Sequence, residues 1–181
     1  MTVTRARVAL LIIAIAVVTA GAFGADAVQR VGVHRGFAPE QPIAFSHKLH
    51  AGESQIPCLY CHFAATRSRH AGIPPLNVCM NCHAILQKRT RDIERLKESV
   101  QQRRPIAWTK VHSLPDFVYF NHSQHLLGGV ACRECHGAVE SMDRVRQEAP
   151  LTMGWCIDCH RQRAAAHAGS TPSTDCGRCH Y

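Results

Sequence analysis

The sequence predicts a mainly helical and irregular chain that folds around bound groups rather than around its own side chains, behind one N-terminal transmembrane helix. Three observations lead there. Ten cysteines and 13 histidines are packed into 181 residues. Aromatic residues make up only 6% of the chain, too few for a large conventional core. An uncharged run of 18 residues, Val8 to Ala25, follows almost at once on Arg5 and Arg7.

All ten cysteines obey one pattern: Cys58-Leu-Tyr-Cys61-His62, Cys79-Met-Asn-Cys82-His83, Cys132-Arg-Glu-Cys135-His136, Cys156-Ile-Asp-Cys159-His160 and Cys176-Gly-Arg-Cys179-His180. C-x-x-C-H is the attachment sequence for c-type haem. Two thiols at this spacing reach the two vinyl groups of one porphyrin, and the adjacent imidazole meets the iron. Disulfides would pair cysteines without requiring a histidine after each pair. Structural zinc places its histidines further along the chain. Five histidines at one fixed offset from five pairs point to five covalent haem c groups and a haem-dominated fold. The expected attachment residues are the ten cysteines, and the expected proximal iron ligands are His62, His83, His136, His160 and His180.

Haem attachment places the cysteine-bearing part outside the cytoplasm. The formal charge of +8 is then offset by about ten propionate charges, leaving the loaded protein near neutrality. The basic composition is therefore no signal for nucleic acid, and no basic patch interleaved with aromatics accompanies it.

A helix over the 18-residue run spans roughly 27 Å, close to the thickness of a bilayer core. A cleaved signal peptide usually has a shorter apolar region, although Ala25-Asp26-Ala27 would pass as a cleavage site. We read an uncleaved single-pass anchor, residues 1–25, in the inner membrane. Arg5 and Arg7 stay cytoplasmic and the haem domain is periplasmic. Residues 26–42 read as a linker and 43–181 as the haem domain.

That domain contains an internal repeat. "AFSHKLHAGESQIPCLYCH" is echoed by "YFNHSQHLLGGVACRECH", each with Phe-x-His-x-x-His ahead of a haem motif. A second motif follows 21 residues on in the first unit and 24 in the second. The units are modules 43–83 and 117–160, and a fifth motif, 176–180, closes the chain. Between the modules, "AILQKRTRDIERLKESVQQRR" places Leu86, Ile93, Leu96 and Val100 at helical spacing, with Pro105 as its stop. "AAAHAGSTPSTD" reads as a loop.

An iron with a filled sixth position carries electrons; an open one can do substrate chemistry. His47 and His50 are three residues apart, so on a helical turn they diverge by about 60° and can reach two irons. His122 and His125 repeat the arrangement. These four are the expected distal ligands, and Met153, three residues ahead of a motif, is the fifth. His70, His112 and Met142 are weaker candidates; His34 and His167 are weaker still, and Met80 reads as packing.

Phe-x-His-x-x-His upstream of C-x-x-C-H resembles the class III cytochromes c, the c3/c7 group, in which the two histidines serve different haems. Together "PIAFSHKLHAG", "HAGIPPLNVCMNCH", "KVHSLPDFVYFNHSQH" and "LTMGWCIDCH" look like the pentahaem cytochrome subunit of alternative complex III. The resemblance covers about residues 40–181 but finds no motif over 161–175. It implies an electron-carrying subunit, not itself an enzyme, in a quinol-oxidising membrane complex. The implied partners are an iron–sulfur subunit, a polytopic quinol-binding subunit and a monohaem cytochrome or terminal oxidase. A multihaem nitrite reductase would often mark its catalytic haem with C-x-x-C-K, which is absent. A quinol dehydrogenase working alone would need a quinol pocket that one short helix hardly supplies.

Overall fold

The computed structural model describes residues 2–30, 33–166 and 172–181. His167, a weak candidate ligand, lies outside the described residues. The chain divides into two units, Met1–His34 and Arg35–Tyr181.

The first unit is built on helix α1, Thr2–Arg30. Its stretch Ala6–Ala25 has a mean hydropathy of 2.5 and no buried residue, so the helix is long and apolar enough to cross a membrane. The helix does not stop at Ala25, where the hydropathy run ends, but continues to Arg30.

The second unit is helical and irregular, with no strand among the described residues. Five of its helices are α2 (Cys58–Cys61), α3 (Leu76–His83), α5 (His122–Leu127), α6 (Cys132–His136) and α7 (Met153–Ala166), with α4 (Arg91–Gln101) between the modules. A π-helical turn covers Lys48–Glu53, and 3-10 turns cover Phe63–Thr66, Val139–Ser141 and Cys176–Arg178.

Local chemistry starts the motif-bearing helices. Pro57 and Pro75, both extended, stand directly before α2 and α3. Proline has no amide hydrogen to leave unpaired there. The Glu134 carboxylate accepts from the Ala131 amide at the head of α6 (2.9 Å), and Asp175 Oδ1 accepts from the Gly177 amide in the last motif (3.0 Å). On a helical turn, residues i, i+3 and i+4 share a face. Each C-x-x-C-H thus presents both thiols and its imidazole to the same side.

Helix α4 is shorter than its periodicity suggests. Thr90 Oγ1 caps it by accepting from the Ile93 amide (3.2 Å), so Leu86 lies outside and is exposed. Leu96 is its buried residue. Arg103, with φ of 52°, turns the backbone away before Pro105 is reached.

The segment 35–42, read from sequence as linker, docks onto the haem domain. Gln147, 1% exposed, accepts through its carbonyl from the Gly36 amide (2.7 Å) and donates its own amide to the Phe37 carbonyl (3.0 Å). Gln41 clasps Thr109 through both its amide nitrogen and its oxygen, each at 2.9 Å. These backbone bonds satisfy polar groups that a free linker would leave to water.

The polypeptide itself has little core. Among the described residues the buried apolar side chains are Ala65, Leu96, Met142 and Ala149. That is what a chain wrapped around large apolar cofactors requires of its own side chains.

Candidate haem-iron centres

None of the ten cysteines is in a disulfide. Among the described residues no cluster of three or more His, Cys, Asp or Glu is poised around a metal ion. Burial pushes the Cys135 thiol up to about 11, with further upward pressure from Cys159, Glu134 and Cys156. Buried thiols of this kind are poor free thiolates.

The histidines form pairs. His47 faces His62 at 6.5 Å between ring centres with planes 6° apart, and His122 faces His136 at 6.4 Å and 8°. His50 faces His83 at 6.1 Å and 48°, and His125 faces His160 at 6.0 Å and 41°. A metal–imidazole bond of about 2.0 Å, plus about 1.1 Å from nitrogen to ring centre, sets two imidazoles on one metal roughly 6.2 Å apart. All four pairs stand at that separation. Each joins a histidine of a C-x-x-C-H motif to one of the upstream Phe-x-His-x-x-His histidines.

The packing that holds the upstream pairs is repeated. Phe45 meets His47 edge-on at 4.9 Å and lies over His50 at 4.3 Å. Phe120 meets His122 edge-on at 4.8 Å and lies over His125 at 4.3 Å. One phenylalanine therefore fixes both imidazoles of a unit, one on its edge and one on its face. The phenylalanine of the motif was legible in sequence, but this role was not.

The outer ring nitrogens set the tautomers. Nδ1 donates to a backbone carbonyl in His50 (Ser46, 2.8 Å), His62 (Gly72, 2.7 Å), His122 (Arg69, 2.7 Å), His125 (Asn121, 2.8 Å), His160 (Ser173, 2.6 Å) and His180 (Phe117, 2.9 Å). A carbonyl can only accept, so Nδ1 holds the proton and Nε2 keeps its lone pair for a metal. His136 differs, because its Nδ1 meets His112 Nε2 at 3.2 Å. The buried Nδ1 atoms of His47 and His83 have no hydrogen-bond partner among the described residues.

Burial pushes five of these imidazoles below the usual histidine range, toward the neutral form that metal ligation demands. It lowers His47 to about 4, helped by His62 and His50, and lowers His136 to about 4, helped by His112, His122 and His62. His83, His112 and His125 are also pushed down, first by burial. The four facing pairs therefore fit haem iron in separation, and six of the imidazoles fit it in tautomer.

The remaining candidates fall as follows. Met153 opens α7 and is 72% exposed. Met142 is 3% exposed and its carbonyl accepts from the Lys48 amide, so its position is one of packing. His112 directs Nε2 to His136. His70 is exposed and follows Arg69, whose guanidinium lies over the Tyr119 ring at 5.0 Å and the Tyr181 ring at 5.8 Å. His34 ends the first unit, with φ of 49°. Met80 sits within α3.

The thiols also report which motifs are neighbours. Cys79 is pushed up by burial and then by Cys61, and Cys132 by burial and then by Cys58. Cys135 feels Cys159, and Cys156 feels Cys179. The motifs thus neighbour one another in the order second, first, third, fourth, fifth. The Tyr119 amide also bonds the Cys179 carbonyl (2.8 Å), tying the fifth motif to the start of the second module.

Residues 118–181 match the family of cytochrome c7 and related cytochrome c. That stretch includes the third, fourth and fifth motifs. Over 98 residues the chain is 34% identical to the multiheme cytochrome c subunit of menaquinone reductase from Nitratidesulfovibrio vulgaris, an overlap of 54% of this chain and 46% of the relative. The chain spans about half the length of the curated relative it matches. The C-terminal stretch is thus similar to c7-type multihaem cytochromes.

Proposed function

We propose that this chain carries electrons through five haem c groups as the anchored cytochrome subunit of a quinone-linked membrane complex. When bound, each haem supplies a one-electron iron couple. The carrying observation is the set of four imidazole pairs at 6.0–6.5 Å. In this reading His62, His83, His136, His160 and His180 are proximal, and His47, His50, His122 and His125 are distal, paired as they stand. The ten motif cysteines hold the porphyrins.

Met153 serves the fifth centre. It lies three residues, and so one helical face, from Cys156, whose thiol feels Cys179 of the fifth motif. A thioether favours ferrous iron over a second imidazole and raises the potential. The buried Arg69 Nε, without a partner among the described residues, is a donor suited to a propionate of that same centre. The motif order makes the second and fifth motifs the two ends of the path, with the Met153 end at the higher potential.

The repeat, the single N-terminal apolar helix and the relative's name support a subunit of a membrane complex. The fuller reading is a member of alternative complex III, anchored in the inner membrane with the haem domain periplasmic. It receives electrons from a polytopic quinol-oxidising subunit, with or without an iron–sulfur subunit between them, and passes them to a monohaem cytochrome or oxidase. A second reading has electrons running the other way, into membrane quinone. It is favoured by the relative, which is named a menaquinone reductase subunit.

The decisive experiment has two arms. Intact mass of the extracted holoprotein should exceed the polypeptide by five haem masses; fewer would end the five-haem reading. In native membranes, adding a quinol should reduce the haems if the complex oxidises quinol. Haems that respond only to a periplasmic donor would support the reverse direction.

A further inference from the structure

Eight of the imidazoles described above belong to the four facing pairs, and their Nδ1 partners divide them. Five of the eight bond a backbone carbonyl, and two, His47 and His83, find no partner among the described residues. His136 alone is bonded to another side chain that can accept strongly. Its ring and that of His112 meet edge to face, centres 4.4 Å apart and planes 81° apart, with Nδ1 to Nε2 at 3.2 Å.

We propose that His112 is a positioning residue for the third centre: its Nε2 accepts the Nδ1–H of His136 and makes His136 the most electron-donating of the proximal imidazoles. This rests on the reading of His136 as an iron ligand. If His136 gives its Nε2 to iron, Nδ1 holds its proton and must donate it. His112 is then the acceptor, with its own proton on Nδ1. A neutral imidazole is a much stronger base than an amide carbonyl. Partners beyond the ligand shell raise ligand basicity in proportion to how strongly they accept. A more basic proximal ligand stabilises ferric iron, so the third centre is held at a lower potential than the first, where His62 bonds only the Gly72 carbonyl.

The location gives this tuning a purpose. The third motif is the point where the second module meets the first, as the Cys132–Cys58 neighbourhood indicates. The two centres at the junction have matching ligands in matching geometry, so only their surroundings can separate their potentials. His112 lies ten residues before His122, in "KVHSLPD", whereas Phe37 stands ten residues before His47 and the histidine ahead of the first unit, His34, is thirteen residues away.

The test compares wild-type holoprotein with His112→Phe and His112→Asn by redox titration, ferric EPR and intact mass. Wild-type mass and low-spin spectra check the ligand reading separately. Given that reading, His112→Phe should favour reduction of one centre about tenfold, an upward shift of about 59 mV for one electron, and move one low-spin EPR signal. The other centres should stay fixed. His112→Asn, whose amide oxygen mimics a carbonyl, should give a smaller shift of the same sign. Unchanged potentials and spectra in both variants would overturn the proposal. So would a new high-spin centre, which would make His112 a ligand, or loss of one haem from both variants, which would make its role structural.

Discussion

The two repeat units place their histidines almost identically and surround them differently. His47/His62 and His122/His136 agree within 0.1 Å and 2°, since they stand at 6.5 Å and 6° against 6.4 Å and 8°. Yet His47 has no Nδ1 partner among the described residues, whereas His122 donates to Arg69. His62 bonds a carbonyl, and His136 bonds His112. The upstream pair rides on a π-helical turn in the first unit and on the helix α5 in the second. The lesson is that a repeat can keep its histidine geometry while the hydrogen bonds around it diverge.

Removing a distal ligand is expected to break the comparison most severely. His47→Ala and His122→Ala should each open one iron, so the reduced holoprotein gains one carbon monoxide site per chain in either unit. If only one variant gains a site, the two units are not equivalent and the pairing fails in the other.

The next effect separates the outer shells. Gly52 ends the first unit's turn so close to the Glu140 carbonyl that a Cβ would collide with it. The corresponding position in the second unit is Leu127, 78% exposed. Gly52→Ala should therefore cost about 1–3 kcal/mol, while Leu127→Ala should stay within about 0.5 kcal/mol. Thermal unfolding of the two holoproteins measures both. Equal losses would show that the turns are packed alike.

A subtler effect concerns the end of the path that the second unit leads to. The oxidised wild type should show a weak sulfur–iron charge-transfer band in the far red. Met153→Leu should abolish it without loss of a haem. A band that is absent, or that survives the substitution, would shift the assignment to His70, which follows Arg69 beside Tyr181.

The smallest effect is expected from the second unit's surface pair. Arg163 holds the Glu134 carboxyl below the usual carboxylate range, with help from the Ala131 amide. A depressed carboxylate adds stability above its unfolded pKa, and loses it as pH falls through the folded value. Glu134→Gln should therefore lower stability slightly at neutral pH, and the difference from wild type should vanish as pH falls through the folded value. Because the pair is exposed, the change should approach measurement error. A loss that is larger in acid than at neutral pH would contradict this.

The five C-x-x-C-H motifs were legible because each is local in the chain and can be read letter by letter. The duplicated Phe-x-His-x-x-His singled out four histidines and split each pair between two directions, but which motif histidine each one faces was not readable from the sequence. The docking of residues 35–42 was not legible, because it depends on Gln147, more than a hundred residues away. Nor was the continuation of α1 past Ala25 to Arg30, where the apolar run has ended but the helix has not. The His112–His136 contact spans 24 residues with no periodic signal. Leu86 misled because the apolar spacing reaches back beyond the Thr90 cap that begins the helix.

The central claim is that four facing imidazole pairs close on four irons, in two geometries shared by both units. Low-temperature EPR of the oxidised holoprotein, quantified against haem content by mass, tests it most directly. The angle between axial imidazole planes sets the splitting of the iron d orbitals. The account predicts two bis-imidazole signals of the near-parallel type, from planes 6° and 8° apart, and two with higher maximal g from planes 48° and 41° apart. Fewer than four bis-imidazole centres, or four of a single type, would contradict it.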